Sequence, residues 1–511
     1  MPATPISEPD AATTGWPRRL ASPAIAAFRD AEGAPAFGAQ VPIKPLDAPR
    51  LLHLNTELAA DLGIEDDPET REALAATAGG GDAAACTDGF ASVYAGHQFG
   101  VFVPQLGDGR ATIIGTLRDH QGEDQEIQLK GAGPTPYSRF ADGRAVLRST
   151  VREYLASEAL HALGIPTTRA LAIVGSDTPV QRETVERAAV LYRVAPSHLR
   201  FGHFEYLAAT GRTDDLRALA THAMARFRPD LAPTPEGFRA WLSDIVARTA
   251  RLVAQWQGVG FCHGVMNTDN FSILGLTIDY GPYGFMERFH RAHICNHSDH
   301  EGRYAYARQP AIAQWNCARM ISACLSLVAD DGADNDERIA LAQPVLDAFA
   351  SAYSASALAI WRDKLGLREA RDGDDALVND LLERMEAGDA DFTRTFRALA
   401  DLRIDGGNPL AAHLGDDEAV TEWLSRYRER LRAEHSDDDA RRERMHRTNP
   451  RYVLRNWLAQ HAISAAESGD LAPLDRLLGC LRRPFDEQPE CADLDAPPPD
   501  WAAGLSVSCS S

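Results

Sequence analysis

Short apolar runs of strand length dominate the chain from Phe90 to about Glu205, and polar turns separate them. Between the second and third runs, apolar residues recur at helical spacing from Ser149 or Thr150 to Leu163, where Gly164 and Pro166 follow. Strands, one helix and more strands predict a small antiparallel sheet that carries a single helix. The predicted strands cover residues 111–117, 126–129, 170–174 and 188–194.

The pattern changes to a helical one from about residue 206 onward. Long helices are predicted over residues 213–262 and 311–365, and the loop-rich stretch 262–309 separates them. Residues 375–480 are again predicted to be helical, with breaks at Asn408-Pro409 and Asn449-Pro450. A sheet-rich part followed by a helical part, with polar loops at the junction, favours an α+β protein with two lobes and a cleft.

The first 90 residues mix proline- and alanine-rich segments and end in a glycine-containing loop predicted over residues 76–87. We therefore predict four regions. They are an N-terminal extension (1–90), a sheet-rich lobe (91–205), the core of a helical lobe with the polar loops (206–330), and a helical C-terminal extension with a tail (331–511).

Composition narrows the class of protein. The 511 residues include 52 Lys and Arg against 73 Asp and Glu, a formal charge of −21, which disfavours nucleic acid as a partner. No apolar run is long enough to span a membrane, and the N-terminus lacks the pattern of a secretory signal. Eight cysteines are scattered without a CxxC pair. These features predict a reduced, cytoplasmic enzyme with no membrane partner.

Lys130 and Glu153 form the first candidate pair. Lys130 ends a predicted strand, and Glu153 lies on the predicted helix that follows. Kinase-type enzymes join a strand lysine to a helix glutamate in order to hold nucleotide phosphates. Two alternatives remain: Lys130 is a solvated residue at a strand end, or Glu153 belongs to a capping box with Thr150.

Glycines and arginines supply candidate phosphate contacts. Gly107 and Gly109 lie in the loop before residues 111–117, where Arg110 adds a fork of donors, although a plain hairpin turn has the same composition. Asp142 and Gly143 precede Arg144 in a second such loop. Two further arginines, Arg193 and Arg200, suit either a triphosphate or surface ion pairs.

The stretch HGVMNTDN at 263–270 aligns with the kinase catalytic-loop pattern HRDxxxxN, and Asp279 stands in a D-Y-G resembling D-F-G. In kinases the corresponding Asn and Asp hold divalent ions, which assigns Asn270 and Asp279 to a metal. Val265 occupies the position of the kinase base and cannot accept a proton. Either Asp269 replaces that base, or the chain binds nucleotide without chemistry and Asp269 only caps a turn.

Long strings of the chain resemble the selenoprotein O family from about Trp16 to the C-terminus. The resemblance implies a protein-kinase-like fold and protein adenylylation, in which AMP moves from ATP to a Ser, Thr or Tyr hydroxyl and pyrophosphate leaves. The nucleotide is then bound in the reverse of its usual orientation in kinases. The strings are YAGHQFGVFVPQLGDGRA (94–111), QLKGAGPTPYSRFADGRAVLRSTVREYL (128–155), VAPSHLRFGHFE (194–205), HGVMNTDNFSILGLTIDYGPYGFM (263–286), WN (315–316) and NPRYVLRNWLAQ (449–460).

The resemblance also implies a role for each candidate residue. Asp269 is the proton acceptor, Asn270 and Asp279 hold Mg²⁺, with Mn²⁺ as an alternative, and Glu153 supports Lys130. The implied ATP contacts are Gly107, Gly109, Arg110, Lys130, Asp142, Gly143, Arg193, Arg200 and Asp279.

A cysteine near the C-terminus of some members bridges to a cysteine in the loop after D-Y-G. The corresponding residues here are Cys509 and Cys295, which implies a reversible redox disulfide, although two free thiols suit a reducing cytoplasm equally well.

The predicted function is therefore transfer of AMP from ATP to proteins, including the chain itself. Two alternatives stay open at this point: a kinase that transfers the γ-phosphoryl group, and a pseudokinase scaffold that binds ATP without turnover.

Overall fold

The computed structural model describes residues 20–29, 33–80, 88–505 and 507, and it divides into two compact units. The first unit consists of residues up to Ala95, Pro104–Tyr154 and Thr168–Leu199. The second consists of Gly96–Val103, Leu155–Thr167 and the residues from Arg200 onward. The first is rich in strands and the second in helices, so the α+β class and the division into a sheet part and a helical part are confirmed.

In the described part of the chain, nine strands form one sheet in the order β1-β3-β5-β6-β9-β8-β2, with β4 beside β3 and β7 beside β9. Every pairing with a defined register is antiparallel. The strands are β1 (Gly38–Pro42), β2 (Arg50–Leu54), β3 (Asp88–Gln98), β4 (Val101–Gly107), β5 (Ala111–Arg118), β6 (Asp124–Lys130), β7 (Ala145–Val146), β8 (Arg169–Gln181) and β9 (Val185–Ala195).

The sheet is larger than the sequence predicted. The four predicted strands correspond to segments of β5, β6, β8 and β9 that are buried throughout, and they therefore form apolar runs in the sequence. The predicted N-terminal extension contributes β1 and β2, which lie at opposite ends of the strand order. Neither has the strong apolar run that made the central strands visible.

Three helices begin in the first unit: α1 (Thr56–Asp61), α2 (Pro68–Gly79) and α3 (Leu147–Ala162). The Asp67 carboxylate accepts a hydrogen bond from the backbone of Thr70 and caps α2. Because α2 continues to Gly79, the prediction that a loop begins at residue 76 was wrong, and residues 81–87 of that loop lie outside the described part. The single predicted helix is α3, which begins two residues before Ser149.

The second unit contains the two-stranded ladder of β10 (Phe261–Cys262) and β11 (Gly284–Phe285), which closes the loop that carries the HGVMNTDN and D-Y-G motifs. Its helices are α4 (Phe201–Ala209), α5 (Thr213–Phe227), α6 (Pro235–Gly258), α7 (Gln309–Ala323), α8 (Asn335–Lys364), α9 (Asp374–Ala387), α10 (Phe392–Leu399), α11 (Ala411–Leu414), α12 (Glu418–Ala433), α13 (Asp438–Thr448), α14 (Asn456–Glu467) and α15 (Ala472–Leu481).

The helical region predicted over 375–480 comprises α9 to α15, and its predicted breaks at Asn408-Pro409 and Asn449-Pro450 are confirmed. The two long predicted helices are each interrupted. The helix predicted over 213–262 breaks between α5 and α6, where the Thr234 hydroxyl accepts a hydrogen bond from the Gly237 backbone and caps the second helix, whose first residue is Pro235. The helix predicted over 311–365 breaks between α7 and α8, where Asp334 caps the new helix. Among the described residues, no helix combines the length and apolar character needed to cross a bilayer.

Candidate active site

A buried cluster in the first unit joins two cations to one carboxylate. Lys130 at the end of β6 and Arg193 on β9 both contact Glu153 of α3. Lys130 Nζ donates to Glu153 Oε2, while Arg193 Nε donates to Oε1 and Nη2 to Oε2 at 3.1 Å. Arg193 Nη1 also donates to Gln128 Oε1 at 3.1 Å. We call Lys130, Glu153, Arg193 and Gln128 the Glu153 cluster.

Electrostatics in this cluster favour the ionised glutamate. Burial acts to raise the pKa of Glu153, but the charges of Arg193 and Lys130 outweigh it, so the pKa lies below its usual value. The capping box does not form, because Thr150 lies inside α3 and its hydroxyl donates to the Val146 carbonyl at 2.9 Å. Lys130 is buried, so it is not a solvated residue at a strand end.

The Gly107–Arg110 loop joins β4 to β5, which both pair with β3, so it is not a hairpin turn. The Asp108 carboxylate accepts from the Ser92 backbone at 3.0 Å and from the Ser92 hydroxyl at 2.6 Å. Gly107 has a φ of +148°, and a Cβ at Gly109 would lie 2.9 Å from the Tyr137 carbonyl oxygen. Glycine is therefore required by the close backbone packing, while Arg110 is exposed.

The loop that contains Asp142 and Gly143 is also held in place. Asp142 accepts from Arg182 at 2.8 Å and from the backbone of Arg144 at 2.9 Å. The hydrogen bond from Arg182 lowers the pKa of Asp142. Gly143 has a φ of +69°, and a Cβ there would overlap the backbone of Gly133.

In the second unit, His263 ties the two polar motifs together. Its Nε2 donates to the Ile278 carbonyl at 2.9 Å, and its Nδ1 accepts from the Val265 backbone at 3.4 Å. Burial lowers the pKa of His263, which favours the neutral ring that this pair of bonds requires. His263 therefore holds the segment after β10 against the segment before Asp279.

The segment Thr268–Asn270 is a short 3₁₀ turn that presents two side-chain oxygens without a hydrogen-bond partner. Asn270 Nδ2 donates to the Val265 carbonyl at 2.9 Å, which leaves its Oδ1 buried and unpartnered. Asp269 Oδ1 is likewise buried without a hydrogen-bond partner. Buried polar atoms rarely lack a hydrogen-bond partner unless a ligand or water molecule supplies one.

Arg200 and Asp279 complete this group. Arg200 Nη1 donates to the Asp269 carbonyl oxygen at 3.1 Å and lies 3.8 Å from Asp279 Oδ2. Asp279 has a φ of +60° and a side chain that is 33% exposed. We call Arg200, Asp269, Asn270 and Asp279 the Asp269 cluster.

The pKa of Asp269 is raised to about 7. Burial is the main cause, Arg200 opposes it, and the charges of Asp279 and Glu205 add to it. A carboxyl with this pKa exchanges protons readily near neutrality, as a general base must.

The oxygens of Asn270 and Asp279 fit a hard divalent cation. Among the described residues, no three His, Cys, Asp or Glu side chains converge as a metal site. A metal here would therefore need the Asn270 amide oxygen and additional oxygens from phosphates or water, which is how Mg²⁺ is usually held.

Sequence reasoning missed the residues that pack around Asp269. A Cβ at Gly96 would lie 2.5 Å from Asp269 Oδ1, so only glycine fits beside this carboxylate. His97 N donates to Thr268 Oγ1 at 2.7 Å, and His97 Nδ1 lies 2.6 Å from Glu205 Oε1. Nothing in their spacing marks Gly96, His97 and Glu205, although all three lie in strings that carry the family resemblance.

Cys295 is buried in the second unit, and its thiol lies 3.5 Å from the Cys262 carbonyl oxygen. Its proposed partner, Cys509, lies outside the described residues. Nearby, the Val507 carbonyl accepts from the His297 backbone at 3.0 Å.

Comparisons with known proteins agree with the resemblance. The family model of protein adenylyltransferase SelO matches residues 28–482. The protein nucleotidyltransferase YdiU of Methylococcus capsulatus is 51% identical over 97% of this chain and 98% of its own length. That of Myxococcus xanthus is 50% identical over 93% and 96%. A MAP kinase of Leishmania major, LmaMPK10, matches 64% of this chain and 91% of its own at 11% identity with a TM-score of 0.19, which carries no argument.

Proposed function

We infer that this chain, which belongs to the protein adenylyltransferase SelO family, transfers AMP from ATP to hydroxyl groups of protein side chains and releases pyrophosphate. The single observation that carries the mechanism is the buried Asp269 carboxylate, whose Oδ1 has no hydrogen-bond partner and whose pKa lies at about 7. A group that is poised to take a proton is what an acceptor hydroxyl requires.

The transfer step begins with the acceptor hydroxyl. Its oxygen attacks the α-phosphorus of ATP, its proton moves to Asp269, and the bond from the α-phosphorus to the oxygen bridging to the β-phosphorus breaks. The electron pair leaves with pyrophosphate, and AMP stays on the protein as a phosphodiester. Arg200 holds the Asp269 backbone in place and so orients the carboxylate.

Asn270 and Asp279 are the proposed Mg²⁺ ligands, with Mn²⁺ as an alternative. When bound, the metal would neutralise negative charge on the phosphate oxygens. The unpartnered Asn270 Oδ1 and the partly exposed Asp279 carboxylate support this assignment. The left-handed backbone of Asp279 favours Asp or Asn over most other residues at this position.

We propose that ATP contacts glycine backbone and cationic side chains among the residues that the family resemblance assigns to it. Glu153 holds Lys130 and Arg193 in fixed positions, so they would meet the phosphates without further ordering. The full set is Gly107, Gly109, Arg110, Lys130, Asp142, Gly143, Arg193, Arg200 and Asp279.

The proposed acceptors are Ser, Thr and Tyr hydroxyls of other proteins and of the chain itself. Incubation with ATP labelled at either the α- or the γ-phosphorus, followed by intact-mass analysis, tests this. Adenylate transfer predicts the α-label and one AMP per site. Retention of the γ-label alone would indicate a kinase, and ATP binding with neither label would indicate a pseudokinase scaffold. Asp269→Asn is the matched control, because it keeps the shape of the side chain and removes the base.

A reversible disulfide between Cys295 and Cys509 remains a proposal. The contact between Val507 and His297 supports it, because it places the chain two residues before Cys509 beside the loop that carries Cys295. Mass spectrometry of non-reduced peptides after peroxide treatment would detect the linked peptide. Recovery of both cysteines as alkylated free thiols would exclude it.

A further inference from the structure

A surface beside the Asp269 segment combines exposed aromatic residues with two arginines. It is built from the hairpin tip (Gly96–Val103) and from residues around α7, all within the second unit. Phe99 and Phe102 on the tip are 39% and 38% exposed, although both are large apolar residues. Apolar side chains that remain this exposed in a cluster usually mark an interaction site.

Trp315 of α7 forms the centre of the surface. Its ring meets the His97 ring edge-on at a centroid distance of 5.1 Å, and His97 in turn packs against Phe102 at 5.0 Å. The guanidinium carbons of Arg303 and Arg319 lie 5.0 Å and 5.3 Å from the centre of the Trp315 ring. Both cations are therefore held by the same indole.

Neither arginine has a carboxylate partner in the described residues. The Nε atoms of both Arg303 and Arg319 are buried without a hydrogen-bond acceptor. This is unusual in a chain whose net charge is −21, because acidic side chains outnumber basic ones. The nearby Asp299 carboxylate accepts from the Arg303 backbone at 2.9 Å rather than from its guanidinium. Two neighbouring guanidinium groups without a directly paired carboxylate favour an anionic ligand.

The surface is connected to the proposed base by short hydrogen bonds. Tyr304, next to Arg303, donates from its hydroxyl to Asn267 Oδ1 at 2.7 Å. Asn316, next to Trp315, donates to the Met266 carbonyl at 3.0 Å. His97 binds Thr268, and Gly96 lies against Asp269. A peptide bound here would therefore lie close in space to Asp269, the proposed proton acceptor.

We propose that this surface binds the acceptor protein, and that it selects a segment in which the hydroxyl-bearing residue has an acidic and an apolar neighbour. The acidic side chain would pair with Arg303 and Arg319, and the apolar side chain would pack on Phe99 and Phe102. This inference rests on the proposed function, because that function makes a protein hydroxyl the acceptor. Binding of a peptide can nevertheless be measured without AMP transfer.

The test uses two fluorescein-labelled peptides of one sequence with a single Thr beside Leu. One peptide carries two Glu residues next to this pair, and the other carries two Gln. Fluorescence anisotropy measures binding to the full chain, and ATP labelled at the α-phosphorus measures kcat/KM. The Glu peptide should bind about tenfold more tightly, since two partly exposed ion pairs form, and its KM should fall by a similar factor.

Variants test which residues cause the preference for the Glu peptide over the Gln peptide. R303Q/R319Q should abolish it, and R303K/R319K should retain most of it. R442Q/R447Q, which removes two exposed charges from α13, should leave it intact. Phe102→Ser keeps both arginines and removes part of the apolar contact. It should weaken binding of the peptide with Leu beside Thr, but not of a version of the same peptide in which Ser replaces Leu.

Equal affinities and equal kcat/KM for the Glu and Gln peptides would overturn the proposal, as would a preference that survives R303Q/R319Q. If the Glu peptide bound in an arginine-dependent way but no variant or wild-type chain labelled it, the proposed function would fail while the docking surface stood.

Discussion

The Glu153 cluster and the Asp269 cluster are both largely buried and charged, yet they differ in whether their side-chain oxygens already have hydrogen-bond partners. In the Glu153 cluster both carboxylate oxygens accept hydrogen bonds from Lys130 and Arg193. In the Asp269 cluster, oxygens of Asp269 and Asn270 have no hydrogen-bond partner, and the pKa of Asp269 is raised to about 7. The first arrangement fixes side chains in place, whereas the second keeps binding capacity for a ligand. Three substitutions test this difference, and a fourth examines a buried charge outside both clusters, in order of their expected effect on AMP transfer.

The largest effect is expected for Asp279→Asn. Loss of this charge removes the only anionic side chain proposed for the metal, so transfer should fall by about 10⁴-fold or more. Labelling from ATP with an α-label measures the rate. Asp389→Asn is the matched control, because Asp389 shares the left-handed backbone and should retain normal activity. A normal rate in Asp279→Asn would refute the assigned metal ligand.

Asp269→Asn should lower transfer by about 10²–10⁴-fold, because the proton acceptor is lost. Thermal stability should stay the same or rise, since the buried carboxylate lacks a full set of partners in the described residues. The same labelling assay and a thermal melt measure both quantities. A large drop in melting temperature would show that Asp269 is a structural residue like Glu153.

Glu153→Gln should lower both activity and stability. Lys130 and Arg193 would lose their common anion in a buried site, which costs about 3–5 kcal/mol of unfolding free energy, and the misplaced cations should reduce transfer about 10²-fold. Denaturant unfolding and the labelling assay measure the two effects. Glu186→Gln, which breaks a partly exposed pair with Arg148, should cost at most about 1 kcal/mol. An equal loss of unfolding free energy in Glu153→Gln and Glu186→Gln would contradict the structural role of the Glu153 cluster.

The smallest effect on transfer is expected at Lys364, a buried lysine whose contacts are the Asn449 amide oxygen and the Phe392 and Phe396 rings rather than a carboxylate. Burial lowers its pKa to about 7, below the value of about 10.4 in an unfolded chain. The unfolded chain therefore binds more protons between pH 7 and 10, so stability should rise with pH across this window. Lys364→Met should flatten that rise and leave transfer unchanged, as denaturant midpoints and labelling would show. A rise that persists in the variant would assign it to other groups.

Much of the fold was predictable from local pattern. The central strands β5, β6, β8 and β9 and the helix α3 are buried on most sides, so their apolar runs were visible. The terminal strands β1 and β2 were missed because pairing with a long-range partner, rather than their own pattern, makes them strands. The breaks after α5 and α7 depend on caps that a helical periodicity does not reveal.

The candidate site was likewise predictable in part. The residue types and their order made Lys130, Glu153, Asp269, Asn270 and Asp279 candidates, because kinase-type nucleotide chemistry uses those groups in that order. The surroundings were not predictable: the sequence left Arg193 open between a phosphate contact and an ion pair, and the structure shows its ion pair with Glu153. Gly96, His97 and Glu205 come from distant segments, and no local pattern connects them to Asp269.

The sequence alone determined the α+β class, the family and the chemical groups available for the reaction, because these depend on the identity and spacing of residues. Only the tertiary structure decided which charges are paired, which oxygens are left open and which carboxyl has a raised pKa. Those properties depend on everything packed around a group, and burial and Coulomb interactions act across space rather than along the chain.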